Sequence, residues 1–139
     1  MRLTRRYEFC ASHRLHQPSL SETENEGLYG KCNNPYGHGH NYALEVTVRG
    51  PVNQETGLVL DSHLLDELVR AQVMEPMDHR NLNAEVEEFA DVVPTSENLV
   101  LVIEQRLRSE WHSRFPGGQP RLENVRLYET RRNRFDLSL

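Results

Sequence analysis

The stretch His38-Gly39-His40-Asn41-Tyr42-Ala43-Leu44-Glu45-Val46-Thr47-Val48-Arg49 alternates along its whole length. His38, His40, Tyr42, Leu44, Val46 and Val48 point one way, and Gly39, Asn41, Ala43, Glu45, Thr47 and Arg49 the other. A period of two marks a half-buried strand, so this strand carries an apolar face that ends in two imidazoles. Gly50-Pro51 ends it, residues 53–57 read as a turn, and Leu58-Val59-Leu60 reads as a short returning strand, giving a hairpin. Upstream, Leu3, Tyr7, Phe9, Ala11 and His13 share one face of another strand, interrupted by Arg5. Residues 17–37, rich in Pro, Ser, Asn, Gly and Glu, read as a long loop.

Downstream, Asp61 or Ser62 is placed to cap a helix. Leu64, Leu65, Leu68, Val69 and Val73 give that helix an apolar stripe, and Pro76 is expected to stop it. An irregular stretch runs from Met77 to Pro94. Thr95 or Ser96 then caps a second helix, with Glu97 favourable to the helix dipole in its first turn. Its apolar side is Leu99, Val100, Ile103, Leu107 and Trp111, and Pro116-Gly117-Gly118 breaks it. Two closing strands, about 122–130 and 135–139, are joined by a tight turn at 131–133. The expected order is β-β-β-α-α-β-β, an α+β layer in which two helices cover one face of an antiparallel sheet.

At 139 residues the chain has room for a single domain, residues 1–139. Mean hydropathy is −0.71, and no apolar run approaches the ~20 residues of a membrane span. The basic start Met1–Arg6 has no apolar stretch behind it, so the reading expects no signal peptide and a cytoplasmic protein. A formal charge of −5 argues against nucleic acid as a partner. A small anion remains compatible, since all but one of the 16 basic residues are Arg and could cluster locally. Cys10 and Cys32 are too few for a disulfide framework.

Seven histidines are many for this length. On a strand, His38 and His40 emerge on one face about 6–7 Å apart, a spacing from which two ring nitrogens can meet one metal. If the first strand is a neighbour, His13 joins them, with His16 competing for the third place. Three neutral nitrogens with a vacant fourth position are the ligand set of a catalytic zinc site, and Gly37 and Gly39 leave room for close approach. Cys32, beside Lys31 and just before the histidine pair, is expected to have a lowered pKa. It could ligate the metal or reach across the site as a base. Cys10, on the opposite face from His13, is expected to be buried as a small hydrophobe. Asp78-His79 pairs a carboxylate with an imidazole that could exchange a proton with a thiol. Glu129 shares an apolar face with Val125 and Leu127 and so needs a partner, either an Arg (Arg126, Arg131 or Arg132) or the amide-like edge of a ligand.

Five blocks carry a resemblance to a known family. They are Phe9-Cys10-Ala11-Ser12-His13-Arg14-Leu15-His16; Lys31-Cys32-Asn33-Asn34-Pro35 running into Gly37-His38-Gly39-His40-Asn41-Tyr42; Asp78-His79-Arg80-Asn81-Leu82; Thr95-Ser96-Glu97-Asn98; and Tyr128-Glu129-Thr130. In this order, and over nearly the whole chain, they resemble the 6-pyruvoyltetrahydropterin synthase family. The resemblance implies the tunnelling fold, a β-sheet with two helices on one side, in homohexamers made of two trimers with active sites between subunits. It implies that His13, His38 and His40 are zinc ligands and that Cys32 is the catalytic base, with Asp78 and His79 completing a relay that can assemble from two chains. It implies that Glu129 anchors the pterin, with Thr95, Ser96 and Glu97 along its edge. Ser96 stands where the family often has Thr, which keeps the hydroxyl.

The implied activity is that of a lyase converting 7,8-dihydroneopterin triphosphate to 6-pyruvoyltetrahydropterin, with Mg2+ on the triphosphate and Arg14 and Lys31 as candidate phosphate contacts. A sister activity, 6-carboxytetrahydropterin synthase of queuosine biosynthesis, uses the same substrate and also releases acetaldehyde. The residues 33–37 between Cys32 and His38 make a longer gap than is usual in the carboxy-forming enzymes, which favours the pyruvoyl product and tetrahydrobiopterin biosynthesis. A non-catalytic pterin-binding module is the remaining alternative, and it would have no need of Cys32 or Asp78-His79.

Overall fold

A computed structural model describes residues 1–139. Strand β1 (Arg2–His13) pairs antiparallel with β2 (His38–Arg49) over the full length of both. The other edge of β2 pairs antiparallel with β4 (Arg121–Tyr128), which in turn pairs with β5 (Arg134–Ser138). A two-residue strand β3 (Arg80–Asn81) lies parallel to the end of β1, so the sheet is mixed rather than wholly antiparallel, in the order β3-β1-β2-β4-β5. With β1 on one edge of β2 and β4 on the other, Leu58–Leu60 has no free edge to pair with. It forms bends instead of the expected hairpin strand, closed by Asn53 N–H donating to the Leu58 carbonyl.

The alternation read in the sequence sets the sheet's two faces. Tyr42, Leu44, Val46 and Val48 of β2, Phe9 and Ala11 of β1, and Val125 and Leu127 of β4 are buried in one core. The facing layer comes from α2 (Ser62–Val69), its continuation, and α5 (Ser96–Arg114). These two helices supply Leu65, Leu68, Val69, Leu99, Ile103 and Leu107, all fully buried. Side chains of this kind contribute roughly 1.5–3 kcal/mol each when wholly removed from water. Arg5, the interruption in β1, is explained by α2: it makes a bidentate pair with Asp66 at 2.8 and 2.9 Å, and Tyr7 OH donates to the same carboxylate at 2.7 Å.

Pro76 does not stop the first long helix. Between Val69 and the short α3 (Glu75–Met77) the chain widens into a π-helical turn, Arg70–Met74, with Glu75 N–H donating to Arg70 O. A proline four residues on leaves the Gln72 carbonyl without its helical donor. Arg106 of α5 fills that place, donating from Nη1 at 3.2 Å while its other nitrogens grip Glu88 at 2.6 Å. Helix and proline coexist because a side chain replaces the missing N–H.

The long loop also holds structure. Ser21 and Glu24 form a capping box that starts α1 (Glu22–Tyr29), and Gly30 at φ 56° ends it in a 3-10 turn, Gly30–Asn33. Buried Asn25 ties α1 to the preceding segment, with Nδ2 donating to the carbonyls of Gln17, Leu20 and Ser21 and Oδ1 accepting from Gln17 N–H. The element order is thus β1-α1-β2-α2-α3-β3-α4-α5-β4-β5, with α4 spanning Leu82–Glu85.

Candidate active site

Register brings the histidines together: His13 lies opposite His38, and Ala11 opposite His40, in the β1–β2 ladder. All three imidazoles therefore leave the helix-covered face at the same end of the sheet. His13 is completely buried. Its Nδ1–H donates to the Pro94 carbonyl at 2.8 Å, just before α5 begins. That bond fixes the tautomer and leaves the Nε2 lone pair facing inward, where His40 Nε2 lies 3.1 Å away. The His38 ring stands edge-on to His40 with centroids 4.8 Å apart, in an exposed position at the mouth.

Cys32 Sγ lies 3.8 Å and Glu129 Oε1 3.2 Å from His40 Nε2. Donor atoms of His13, Cys32, His40 and Glu129 all lie within 4.8 Å of one another, a grouping able to hold a metal ion, and His38 stands just outside it. Burial is the main reason that the His13 and His40 imidazoles are held below their ordinary pKa, which keeps them in the neutral, ligating form. Two nitrogens at 2.0–2.1 Å from a tetrahedral zinc are about 3.3 Å apart, close to the separation found here. A histidine whose second nitrogen donates to a carbonyl is the usual support of a metal ligand. The donor set fits zinc.

The thiol differs from expectation. Burial first, and then the Glu129 carboxylate, push Cys32 up rather than down; Lys31 is exposed and does not offset them. The position of Cys32 is nevertheless well determined. Its carbonyl accepts from Leu15 N–H at 2.7 Å, and the next side chain, Asn33, donates to the Leu15 carbonyl and contacts His16 Nδ1 at 3.0 Å. His16 therefore supports the loop and stands apart from the metal-ligating group. Gly37 has φ 84°, and a Cβ there would sit 3.2 Å from the His13 carbonyl. Its role is to let the chain pass close behind His13, whereas Gly39 faces open space.

Glu129 takes no arginine. Its Oε2 accepts from Ser96 Oγ at 2.8 Å and its Oε1 faces His40. Thr95 is the N-cap of α5, accepting from Asn98 N–H, and Glu97 is exposed in the first turn. Of the four expected pterin contacts, Ser96 and Glu129 are directly joined, Thr95 shapes the helix start and Glu97 points outward.

Asp78 and His79 are not beside Cys32 of the same chain. They sit by Cys10, which is exposed rather than buried: Asp78 Oδ1 accepts from Cys10 N–H at 2.9 Å, and His79 N–H donates to the Cys10 carbonyl at 2.6 Å. The sheet face opposite the helices is open and polar, so Cys10 has nothing to bury it. Two contributors escaped the sequence reading. The Pro94 carbonyl is a backbone group with no residue signal, and buried Tyr42, which stacks on Phe9 and borders His40, reads as plain core.

Comparison with known proteins gives concordant results. The family model described as 6-pyruvoyl tetrahydropterin synthase matches residues 2–138. The 6-pyruvoyl tetrahydrobiopterin synthases of Drosophila melanogaster and Homo sapiens are each 44% identical over 131 residues, 94% of this chain and 75% and 86% of theirs. The structure of Caenorhabditis elegans 6-pyruvoyl tetrahydropterin synthase superposes with a TM-score of 0.86 at 38% identity, covering 99% of this chain and 94% of that one. The 6-carboxy-5,6,7,8-tetrahydropterin synthase of Rickettsia bellii is more distant, 28% identical over 94% of both chains. With a matching family model, relatives this similar and an α+β fold in common, the chain belongs to the 6-pyruvoyl tetrahydropterin synthase family.

Proposed function

We propose that this chain is a zinc-dependent lyase that converts 7,8-dihydroneopterin triphosphate to 6-pyruvoyl tetrahydropterin with release of triphosphate. The observation that carries the reading is the convergence of His13 Nε2 and His40 Nε2, 3.1 Å apart, behind a His13 ring whose Nδ1 is already engaged by Pro94. His13, His38 and His40 would hold one zinc per subunit. Bound there, the ion supplies Lewis acidity to the hydroxyl oxygens of the substrate side chain and makes the adjoining C–H bonds more acidic.

The chain's own groups supply the rest. Glu129 accepts the two parallel N–H groups of the pterin edge, a charge-assisted pairing, with Ser96 orienting the carboxylate and Thr95 and Glu97 flanking it at the start of α5. Cys32, as thiolate, takes a proton from the side chain and returns it as the side chain tautomerises to the diketone and triphosphate departs. A thiol raised by burial and by Glu129 needs a cation nearby to ionise near neutral pH, which favours proton transfer beside the metal. Asp78 and His79 lie against Cys10 in their own chain, which supports their serving Cys32 of a neighbouring subunit in a dimer of trimers. Arg14, Lys31 and His38 line a polar cleft of about 500 Å³ at the outer side of the histidines, a suitable channel for the triphosphate and its Mg2+. The pyruvoyl product is favoured over the carboxy product by the gap between Cys32 and His38 and by the greater identity to the pyruvoyl-forming relatives. We place the enzyme in the cytoplasm.

Chelation tests the metal. Removal of zinc is expected to abolish turnover and one equivalent to restore it, while His13→Ala and His40→Ala should each lose the ion by elemental analysis. Full turnover by metal-free protein would overturn the reading.

A further inference from the structure

Tyr42 carries a hydroxyl that core packing alone does not require. The residue is 1% exposed. Its ring is held by Phe9, stacked at a centroid distance of 5.1 Å, and by His40 at 5.6 Å. The Tyr42 oxygen lies 3.5 Å from His13 Nδ1. That nitrogen already gives its proton to the Pro94 carbonyl at 2.8 Å, and a ring nitrogen that carries a proton cannot accept one. The Tyr42 O–H therefore needs another acceptor, because a buried hydroxyl left unpaired is destabilising. Ser96 is at hand: its hydroxyl is near enough to the Tyr42 oxygen to act on the ionisation of the phenol. Ser96 is itself buried and donates its proton to Glu129 Oε2 at 2.8 Å, so the lone pairs of its Oγ are left to accept. Burial, and after it the charges of Glu129 and Cys32, raise the Tyr42 phenol above its ordinary pKa, which keeps it a donor.

We propose that Tyr42 is a positioning residue for the pterin anchor: its hydroxyl donates to Ser96 Oγ, and Ser96 in turn donates to Glu129. The inference rests on the reading of Glu129 as the group that accepts the pterin edge. The three residues come from separate elements, Tyr42 from β2, Ser96 from the first turn of α5 and Glu129 from the residue after β4. A serine hydroxyl on its own rotates and can give its proton elsewhere. With a lone pair taken by Tyr42, the rotor is held with its proton on the carboxylate. Donation in one direction along the chain polarises each bond and strengthens the next. The Glu129 carboxylate is thereby held in one plane, as a two-point pairing with parallel N–H groups requires.

The probe is 7,8-dihydroneopterin, which lacks the triphosphate leaving group, and its binding to the purified zinc-loaded protein is read by isothermal titration calorimetry. Tyr42→Phe keeps the ring and its packing and removes only the donor. It should weaken binding about three- to tenfold, the worth of one hydrogen bond, with zinc content equal to wild type. With the full substrate, KM should rise by the same factor while kcat stays within about twofold, the pattern of lost ground-state binding. Ser96→Ala, which leaves the core ring untouched, should also weaken binding. Adding Tyr42→Phe to it should cost nothing further, because the route from Tyr42 to Glu129 is already cut. In a Ser96→Thr background, which retains the hydroxyl, Tyr42→Phe should again weaken binding. Unchanged affinity in Tyr42→Phe, additive losses in the double variant, or zinc lost from Tyr42→Phe would overturn the proposal. If Glu129→Gln also binds as well as wild type, the anchor reading falls with it. If Glu129→Gln weakens binding and Tyr42→Phe does not, the anchor stands and only the role of Tyr42 falls.

Discussion

His13 faces two ways, with Nδ1–H on the Pro94 carbonyl and Nε2 toward His40, so a change on either side should be felt at the metal. His13→Gln keeps a polar group but loses the imidazole, and metal content should fall with the fold retained. Cys32→Ala should lower kcat by about 10²–10⁴, the usual contribution of a positioned acid or base, with zinc content unchanged and the far-ultraviolet spectrum unaltered. Glu129→Gln leaves a neutral acceptor where the pterin edge donates. Loss of hydrogen bonds to a charged group of about 1.5–3 kcal/mol predicts a 10- to 100-fold fall in kcat/KM, measured by steady-state assay. At this scale the histidines were legible because a period of two puts His38 and His40 on one face whatever the strand pairs with. The partner of Glu129 was not, since nearness in sequence pointed to arginines whereas the fold brings in Ser96 and His40 from other elements. Cys10 was misread because the rule that buries a cysteine assumes a covered face, and the second face of this sheet is open.

Among the elements, the contact between α5 and the π-turn depends on Arg106, which joins Gln72 and Glu88. Arg106→Leu should destabilise the protein by about 1–3 kcal/mol, since it leaves a carbonyl without its donor and a carboxylate without its partner, and urea denaturation measures it. The hydrogen bonds from Arg106 outweigh partial burial and hold the Glu88 carboxyl below its ordinary range. A depressed carboxylate contributes stability that is fully present above its unfolded pKa of about 4.3 and is lost as pH falls through the folded value. Between pH 5 and 3, wild type should therefore lose more stability than Glu88→Gln. Ser21→Ala should cost about 1 kcal/mol of cap and speed amide exchange through α1 and the turn that carries Cys32. The start of α1 was readable as Ser-x-x-Glu at 21–24, but the surrounding Pro, Ser, Asn and Gly masked it. The helix through Pro76 was not readable, because the donor that replaces the proline N–H comes from a residue thirty positions later.

Over the whole molecule, one sheet face carries the core and the helices, and the other stays polar. Thr4 meets Thr47 across it at 2.8 Å, and Arg126 joins Glu45 and Asp136. The placement of Cys32 on the covered side and of Asp78-His79 on the open side of one chain is the feature that most favours an active site shared between subunits. Sedimentation should accordingly show a hexamer, and mixing inactive Cys32→Ala with inactive His79→Asn under conditions of subunit exchange should regenerate activity. The α+β architecture was legible in the alternation of β1 and β2 and the two apolar stripes. The hairpin at 58–60 failed because edge availability is a property of the whole sheet: β4, distant in sequence, occupies the edge that a local reading assigned to the next strand.

The most direct test is product identification. Zinc-loaded protein incubated with 7,8-dihydroneopterin triphosphate and Mg2+ should release triphosphate and a 6-pyruvoyl pterin, followed by mass spectrometry, with no acetaldehyde. Acetaldehyde with a 6-carboxy pterin would contradict the assignment of the product.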